Sequence, residues 1–166
     1  VLPSSVDHAL ANGIVDHAFT RDAPGLEDKI HSASYGNGAD AVIIAAATHS
    51  NDPINFAGAI ARKKGCVVVL GAVPTGFERD PHWYRKELEL RMACSYGPGR
   101  YDPQYEEKGV DYPLAYVRWT EKRNMEAFQR LIEKGLMPLD CLTTHEFAFE
   151  DAPKAFDIIA NKSEPY

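Results

Sequence analysis

Two short, almost purely apolar runs place the narrowest limit on what this chain can fold into. Residues 39–46 read Ala-Asp-Ala-Val-Ile-Ile-Ala-Ala, and residues 66–71 read Cys-Val-Val-Val-Leu-Gly. A strand with one wet face alternates polar and apolar residues. A run that stays apolar is a strand buried on both faces, as in a parallel sheet lying between helices. Between the two runs lies a helix signal. Ser50-Asn51-Asp52-Pro53 offers a capping side chain and a proline in the first turn. Ile54, Ala57, Gly58 and Ala61 follow at helical spacing, up to a stop at Lys63-Lys64-Gly65. Parallel strands joined by a helix take a right-handed crossover. The sequence thus predicts an α/β fold built on an open, mostly parallel sheet.

The flanks extend the alternation. Ser4 or Ser5 can cap a short helix with Val6, Ala9 and Leu10 on one face, ending at Asn12-Gly13. Residues 14–19 read as a short strand, and residues 26–34 as a helix ending near Gly36 or Gly38. Residues 73–86 are a loop rich in proline, glycine and aromatics. Residues 87–96 then alternate, with Leu88, Leu90, Met92 and Cys94 on one side and Glu87, Glu89 and Arg91 on the other. That pattern is an edge strand with one wet or partner-facing side. Residues 97–118 are dense in glycine, proline and tyrosine. Thr120 can cap a helix that turns Met125, Phe128, Leu131 and Ile132 inward and stops at Gly135. Residues 142–149 read as a strand, and residues 151–161 as a helix with Ala152, Ala155, Phe156 and Ile159 on one face.

Composition excludes several classes of function. At 166 residues the chain can bury one core of its own. Its formal net charge of −6 gives no broad footprint for DNA or RNA. The basic clusters Arg62-Lys63-Lys64 and Lys122-Arg123 lie near helix ends, where they complement the dipole. The longest apolar runs, 41–47 and 66–70, are of strand length and too short to span a membrane. No secretory signal pattern opens the chain. Cys66, Cys94 and Cys141 are odd in number and far apart, which suits a reducing cytoplasm and supplies no zinc-site spacing.

Ligands of open parallel sheets bind beyond the carboxyl ends of the strands. Two such ends are readable: Ala46-Ala47-Thr48 and Gly71-Ala72-Val73. Small residues there let a ligand approach the backbone, and Thr48 adds a hydroxyl. The same residues also suit plain tight turns out of buried strands, and sequence leaves both readings open. The dinucleotide fingerprint G-x-G-x-x-G is absent, since Gly36-Asn37-Gly38 precedes a strand and lacks the third glycine. The six histidines show no metal-binding spacing. His49 is a solvated loop residue on this reading, and His145 a structural one. Glu106, Glu107 and Asp111 form an exposed acidic loop rather than an acid–base pair, and the tyrosines around them pack a long ordered loop.

The order of segments resembles the medium-chain dehydrogenase/reductase superfamily, which includes zinc-type alcohol and threonine dehydrogenases. Residues 9–18, Ala-Leu-Ala-Asn-Gly-Ile-Val-Asp-His-Ala, are similar to the stretch after that family's second strand. Gly38-Ala39-Asp40-Ala41-Val42-Ile43 resembles its fourth strand and residues 65–71 its fifth. Leu142-Thr143-Thr144-His145-Glu146-Phe147, with Glu150-Asp151-Ala152-Pro153-Lys154-Ala155-Phe156, resembles its C-terminal strand and helix. A narrower likeness lies in Ser95-Tyr96-Gly97-Pro98-Gly99-Arg100-Tyr101-Asp102-Pro103, in residues 105–109, and in Tyr116-Val117-Arg118-Trp119-Thr120-Glu121-Lys122-Arg123-Asn124. These resemble the alcohol dehydrogenase-like half of bi-domain bacterial oxidoreductases associated with surface-polysaccharide biosynthesis.

The resemblance implies an incomplete Rossmann-type fold, doubly wound and lacking its first two strands. Residues 1–140 would be the distal part of an NAD(P)-binding domain, and residues 141–166 a strand and helix returning to a catalytic domain. It implies hydride transfer between NAD or NADP and a small alcohol or carbonyl. Cofactor contacts would fall at Ala46, Ala47 and Thr48, at Gly71, Ala72 and Val73, and at Ser95 and Tyr96 after the sixth strand; Arg100 is a weaker candidate for a cofactor phosphate. The catalytic residues, the glycine-rich turn and any zinc would belong to a part of the parent protein outside this chain. The chain alone is then expected to be inactive. The alternative is a non-catalytic interaction or scaffold domain that keeps the fold. Without the first strands, residues 14–19 are expected to dock directly beside residues 39–46, or two chains to pair. A homodimer through edge strands is the expected assembly.

Overall fold

The computed structural model describes residues 3–137 and 139–164. It divides into two compact units, residues 1–124 and 125–166. The first unit holds α1 (Pro3–Ala11), α2 (Leu26–Ala33), β1 (Ala39–Ile44), α3 (Asp52–Ile60), β2 (Ala61–Val69), a π-helical turn (Arg79–Trp83), β3 (Glu89–Met92) and α4 (Pro103–Glu106). Helix α5 (Glu121–Glu133) begins in the first unit and continues in the second, which also holds α6 (Ala152–Asn161) and two 3-10 turns.

The strands form a parallel sheet in the order β1-β2-β3. Residues 41–44 pair with 66–69, and 66–69 with 89–92. The start of β2 is irregular, because Ala39 pairs with Ala61 while Ala41 already pairs with Cys66. Helix α3 joins β1 to β2 as the apolar runs require. This is a Rossmann-type α/β arrangement, represented by three of its strands.

The core lies between α3 and one face of the sheet. Ile54 and Ala57 of α3 meet Ile44, Val67 and Val69, with Ala61 and Trp83 closing the cluster. Val42, Val73, Phe77, Leu88 and Leu90 pack around it. Trp83 stacks on Phe77 with ring centroids 4.3 Å apart. Outside the core, Arg21 makes a two-pronged ion pair with Asp52 at 3.0 and 2.7 Å and lies 3.9 Å from the Phe56 ring centroid, pinning the preceding loop to α3. The opposite face of the sheet carries Ala41, Ile43, Cys66 and Val68. Ile43 there is 66% exposed. Burial on both faces, expected from the apolar runs, is met on the α3 face only.

Several expectations are corrected. Residues 14–19 form no strand and do not dock beside β1, whose outer edge has no partner strand among the described residues. Residues 142–149 form no strand either; they run through the end of a 3-10 turn (Asp140–Leu142), an irregular stretch and the start of another (Phe149–Asp151). The physical reason is shared: a strand exists only with a ladder partner, and neither segment has one among the described residues. Helix α3 stops at Ile60, short of Lys63-Lys64-Gly65. Helix α4 was not expected; Asp102 caps it by accepting from the Gln104 N–H at 2.9 Å, and Pro103 fills its first turn. Thr120 does not cap α5. Its side chain is fully buried with its hydroxyl unpartnered, and the Glu121 N–H donates instead to the Pro98 carbonyl at 3.0 Å. The α5 face of Met125, Phe128, Leu131 and Ile132 is exposed rather than inward.

This division of the sheet into a covered and an open face predicts unequal mutational costs. Ile54→Ala should lose about 3–4 kcal/mol of unfolding free energy, as for a fully buried isoleucine. Ile43→Ala should lose less than about 1 kcal/mol. Urea unfolding of the two variants checks the contrast.

Candidate functional site

The three strands finish on one line, because Val69 pairs with Ile44 on one side and Met92 on the other. Beyond that line the first two chain segments cross closely. The N–H groups of Leu70 and Gly71 both donate to the Ile44 carbonyl, at 3.0 and 2.8 Å. The Thr48 N–H donates to the Ala72 carbonyl at 3.0 Å. A Cβ on Gly71 would fall on the Ala46 carbonyl oxygen, well inside van der Waals contact. Only glycine permits this crossing. The structure therefore brings Ala46, Ala47 and Thr48 together with Gly71 and Ala72.

The resulting shelf is small-residued and open. Ala46, Ala47 and Ala72 are exposed. The Thr48 hydroxyl accepts from the Ser50 N–H at 3.2 Å, which fixes its rotamer and leaves its proton for a ligand. Ser50 in turn accepts from the Asp52 N–H at 3.1 Å, settling the entry into α3. Val73 behaves differently from its neighbours, since its side chain packs on the core and anchors the turn. His49 is exposed beside the shelf.

Ser95 and Tyr96 follow β3. They line a cavity of about 520 Å³ together with Met92, Cys94, Arg100 and Asn124. The Asn124 amide donates to the Tyr96 carbonyl at 2.8 Å. Gly97 has a φ of 105°, and a Cβ there would lie 2.5 Å from the same amide. The segment thus turns sharply under Asn124, and the turn aims Ser95 and Tyr96 at the cavity. Ser95 itself has a φ of 44°, an uncommon conformation for a residue with a side chain. Met92, Cys94 and Asn124 were not anticipated. Gly97-Pro98-Gly99 is the kind of sequence that marks a turn, but nothing local to Asn124 marks it as the residue that closes it.

A polar network orders the loop that follows Arg100, itself a lining residue of the cavity. The Arg100 guanidinium pairs with Glu106 and lies 4.5 Å from the Tyr101 ring centroid, so its charge is already matched. Asp102 accepts from the Tyr112 hydroxyl as well as from the Gln104 N–H. The Tyr112 hydrogen bond holds the Asp102 carboxyl below the usual carboxylate range, and the Asp102 carboxylate raises the Tyr112 phenol. Tyr105 stacks on Tyr112 at 5.6 Å and accepts from the Lys122 N–H at 3.0 Å. Arg123 binds Asp111 at 2.9 Å and the carbonyls of Tyr112 and Val117. Glu106 and Asp111 thus serve as ion-pair partners in this network. His145, in the second unit, contacts the Thr144 hydroxyl at 2.9 Å and stacks against Phe147.

Among the described residues no group of three or more His, Cys, Asp or Glu side chains is placed to hold a metal ion. No helix among them is long and apolar enough to cross a membrane. The described residues therefore do not fit a zinc site.

No family model and no curated protein matches the chain. Solved structures do. A zinc-binding-domain alcohol dehydrogenase protein from Burkholderia ambifaria is 16% identical, with a TM-score of 0.67 over 98% of this chain and 38% of its own. Benzyl alcohol dehydrogenase from Acinetobacter calcoaceticus is 16% identical, with a TM-score of 0.66 over 98% of this chain and 38% of its own. A short chain alcohol dehydrogenase from E. coli CFT073, solved in complex with NADH, is 17% identical, with a TM-score of 0.64 over 96% of this chain and 39% of its own. At such identities the likeness establishes the fold: this chain folds like part of an alcohol dehydrogenase. It spans about two fifths of the length of each of these chains.

The crossing at Gly71 makes a direct prediction. Gly71→Ala should cost about 2–3 kcal/mol, the range for forcing atoms into a closely packed site. Thermal unfolding beside Ala72→Ser, an exposed neighbour expected to be nearly neutral, checks it.

Proposed function

We propose that this chain is a cofactor-binding portion of an NAD(P)-dependent, alcohol dehydrogenase-like oxidoreductase. The observation that carries the reading is the alignment of three parallel strand ends beneath an exposed shelf of small residues and a cavity. Open α/β sheets bind their ligands at that place. Ala46, Ala47, Thr48, Gly71 and Ala72 would lie against the dinucleotide, where the absence of bulky side chains allows close approach. Val73 would act by holding the turn. Ser95 and Tyr96 would meet the nicotinamide end through their cavity. The bound dinucleotide supplies the hydride chemistry, either NAD or NADP serving this reading.

The substrate would be a small alcohol or carbonyl, in sugar or surface-polysaccharide metabolism if the narrower sequence likeness carries over. The groups that polarise it, zinc included, would come from other parts of the parent protein, because the side chains here do not form such a set. The isolated chain would bind without turnover. Cys66 and Cys94 are free thiols, which suits the cytoplasm.

One observation favours the scaffold alternative. The N–H groups of Thr48, Leu70 and Gly71, the donors nearest to hand for a phosphate, are spent on the chain's own carbonyls. Titration with NADH and NADPH, followed by nicotinamide fluorescence, separates the two readings. Binding tighter than about 1 mM, near −4 kcal/mol, supports the cofactor role. No binding at several millimolar supports the scaffold.

A homodimer through edge strands is part of the same proposal. Glu89 and Arg91 sit two residues apart on the outer strand β3, paired to each other at 2.7 Å. Antiparallel pairing about Leu90 would set each Glu89 opposite the partner's Arg91. Glu89→Arg should then weaken self-association about tenfold, and adding Arg91→Glu should restore it. Sedimentation equilibrium decides; an unchanged dimer in Glu89→Arg removes this interface.

A further inference from the structure

Three main-chain carbonyls converge at the amino-terminal end of the sheet, away from the candidate site. Two belong to Gly58 and Ala59 in the last turn of α3, where carbonyls lack intrahelical partners. The third belongs to Ala61, at the irregular start of β2. All three residues are buried. Buried carbonyls without donors are costly. Here a single group serves all of them: the Lys86 Nζ donates to Gly58 O at 3.0 Å, Ala59 O at 2.6 Å and Ala61 O at 2.8 Å. An ammonium has three donors, and each finds one carbonyl. Its charge also lies where the dipole of α3 is negative.

The same residue is tied through its backbone. The Lys86 N–H donates to the His82 carbonyl at 2.9 Å, and its carbonyl accepts from the Lys64 N–H at 2.6 Å. One residue therefore joins the end of α3, the start of β2 and the approach to β3. Burial pulls the Lys86 ammonium below the usual lysine range, and the carboxylate of Glu27 offsets this in part.

We propose that the carbonyls of Gly58, Ala59 and Ala61 form a binding site for a small primary ammonium ion, occupied in cis by Lys86. The site recognises three N–H donors and a positive charge, so shortening the side chain opens it to a free alkylammonium of the same chemistry.

Thermal melts of the wild type, Lys86→Ala and Lys86→Met test this in methylammonium chloride against tetramethylammonium chloride at equal ionic strength. Tetramethylammonium carries the charge but no N–H donor. Both variants should melt roughly 4–10 °C below the wild type. Methylammonium should raise the melting temperature of Lys86→Ala alone, because methionine fills the path to the carbonyls. Should Lys86→Ala be unfolded in plain buffer, recovery of its circular dichroism in methylammonium carries the same meaning. A Lys86→Met variant as stable as the wild type overturns the proposal. So does a methylammonium effect equal in all three proteins, or none in Lys86→Ala.

Discussion

Packing of α3 against one face of the β1–β2 pair is the interaction on which the remaining structure depends. Ile54 and Ala57 occupy the space over Ile44, Val67 and Val69, and that contact fixes the crossover between the two strands. Once the crossover is fixed, β1 and β2 must run in the same direction, and their carboxyl ends must emerge together. β3 joins the same line through its pairing with residues 66–69. The candidate site follows from this geometry. Residues separated by more than twenty positions in sequence meet because the ladder stops at Ile44, Val69 and Met92 at once.

The division between what sequence revealed and what it concealed follows from where the stabilising energy comes from. The parallel pair and α3 were legible because apolar residues run through 39–46, 54–61 and 66–71, although only the face beneath α3 is buried. Segments 14–19 and 142–149 carry β-forming residues too, yet neither forms a strand. Strand formation depends on a neighbouring edge, and local composition carries no record of the neighbour. Thr120 shows the same limit on a smaller scale. A threonine before a helix signals a cap, but the Pro98 carbonyl, twenty-two residues earlier, takes the N–H of Glu121 instead. At the candidate site, the meeting of residues 46–48 with 71–72 was legible from strand ends alone, whereas the inward turn of Val73 and the closing role of Asn124 required tertiary contacts.

Electrostatics divides along the same axis. At the amino-terminal end of the strands, Lys86 spends all its donors on carbonyls, and Glu87 takes the charges of Lys63 and Lys64. Beyond the carboxyl ends, Arg100 is matched by Glu106 and Arg123 by Asp111. The shelf itself therefore offers shape, a threonine hydroxyl and close backbone approach rather than a fixed cation. A ligand held there would be recognised by fit along the strand ends.

The central claim is that the aligned strand ends form a dinucleotide-binding surface. Amide chemical-shift mapping of the ¹⁵N-labelled chain during addition of NADH tests it most directly. The account predicts shifts concentrated at Ala46, Ala47, Thr48, Gly71, Ala72, Ser95 and Tyr96, with residues 62–66 at the other end of the sheet unmoved. Shifts centred on residues 62–66, or none at saturating NADH, would contradict it.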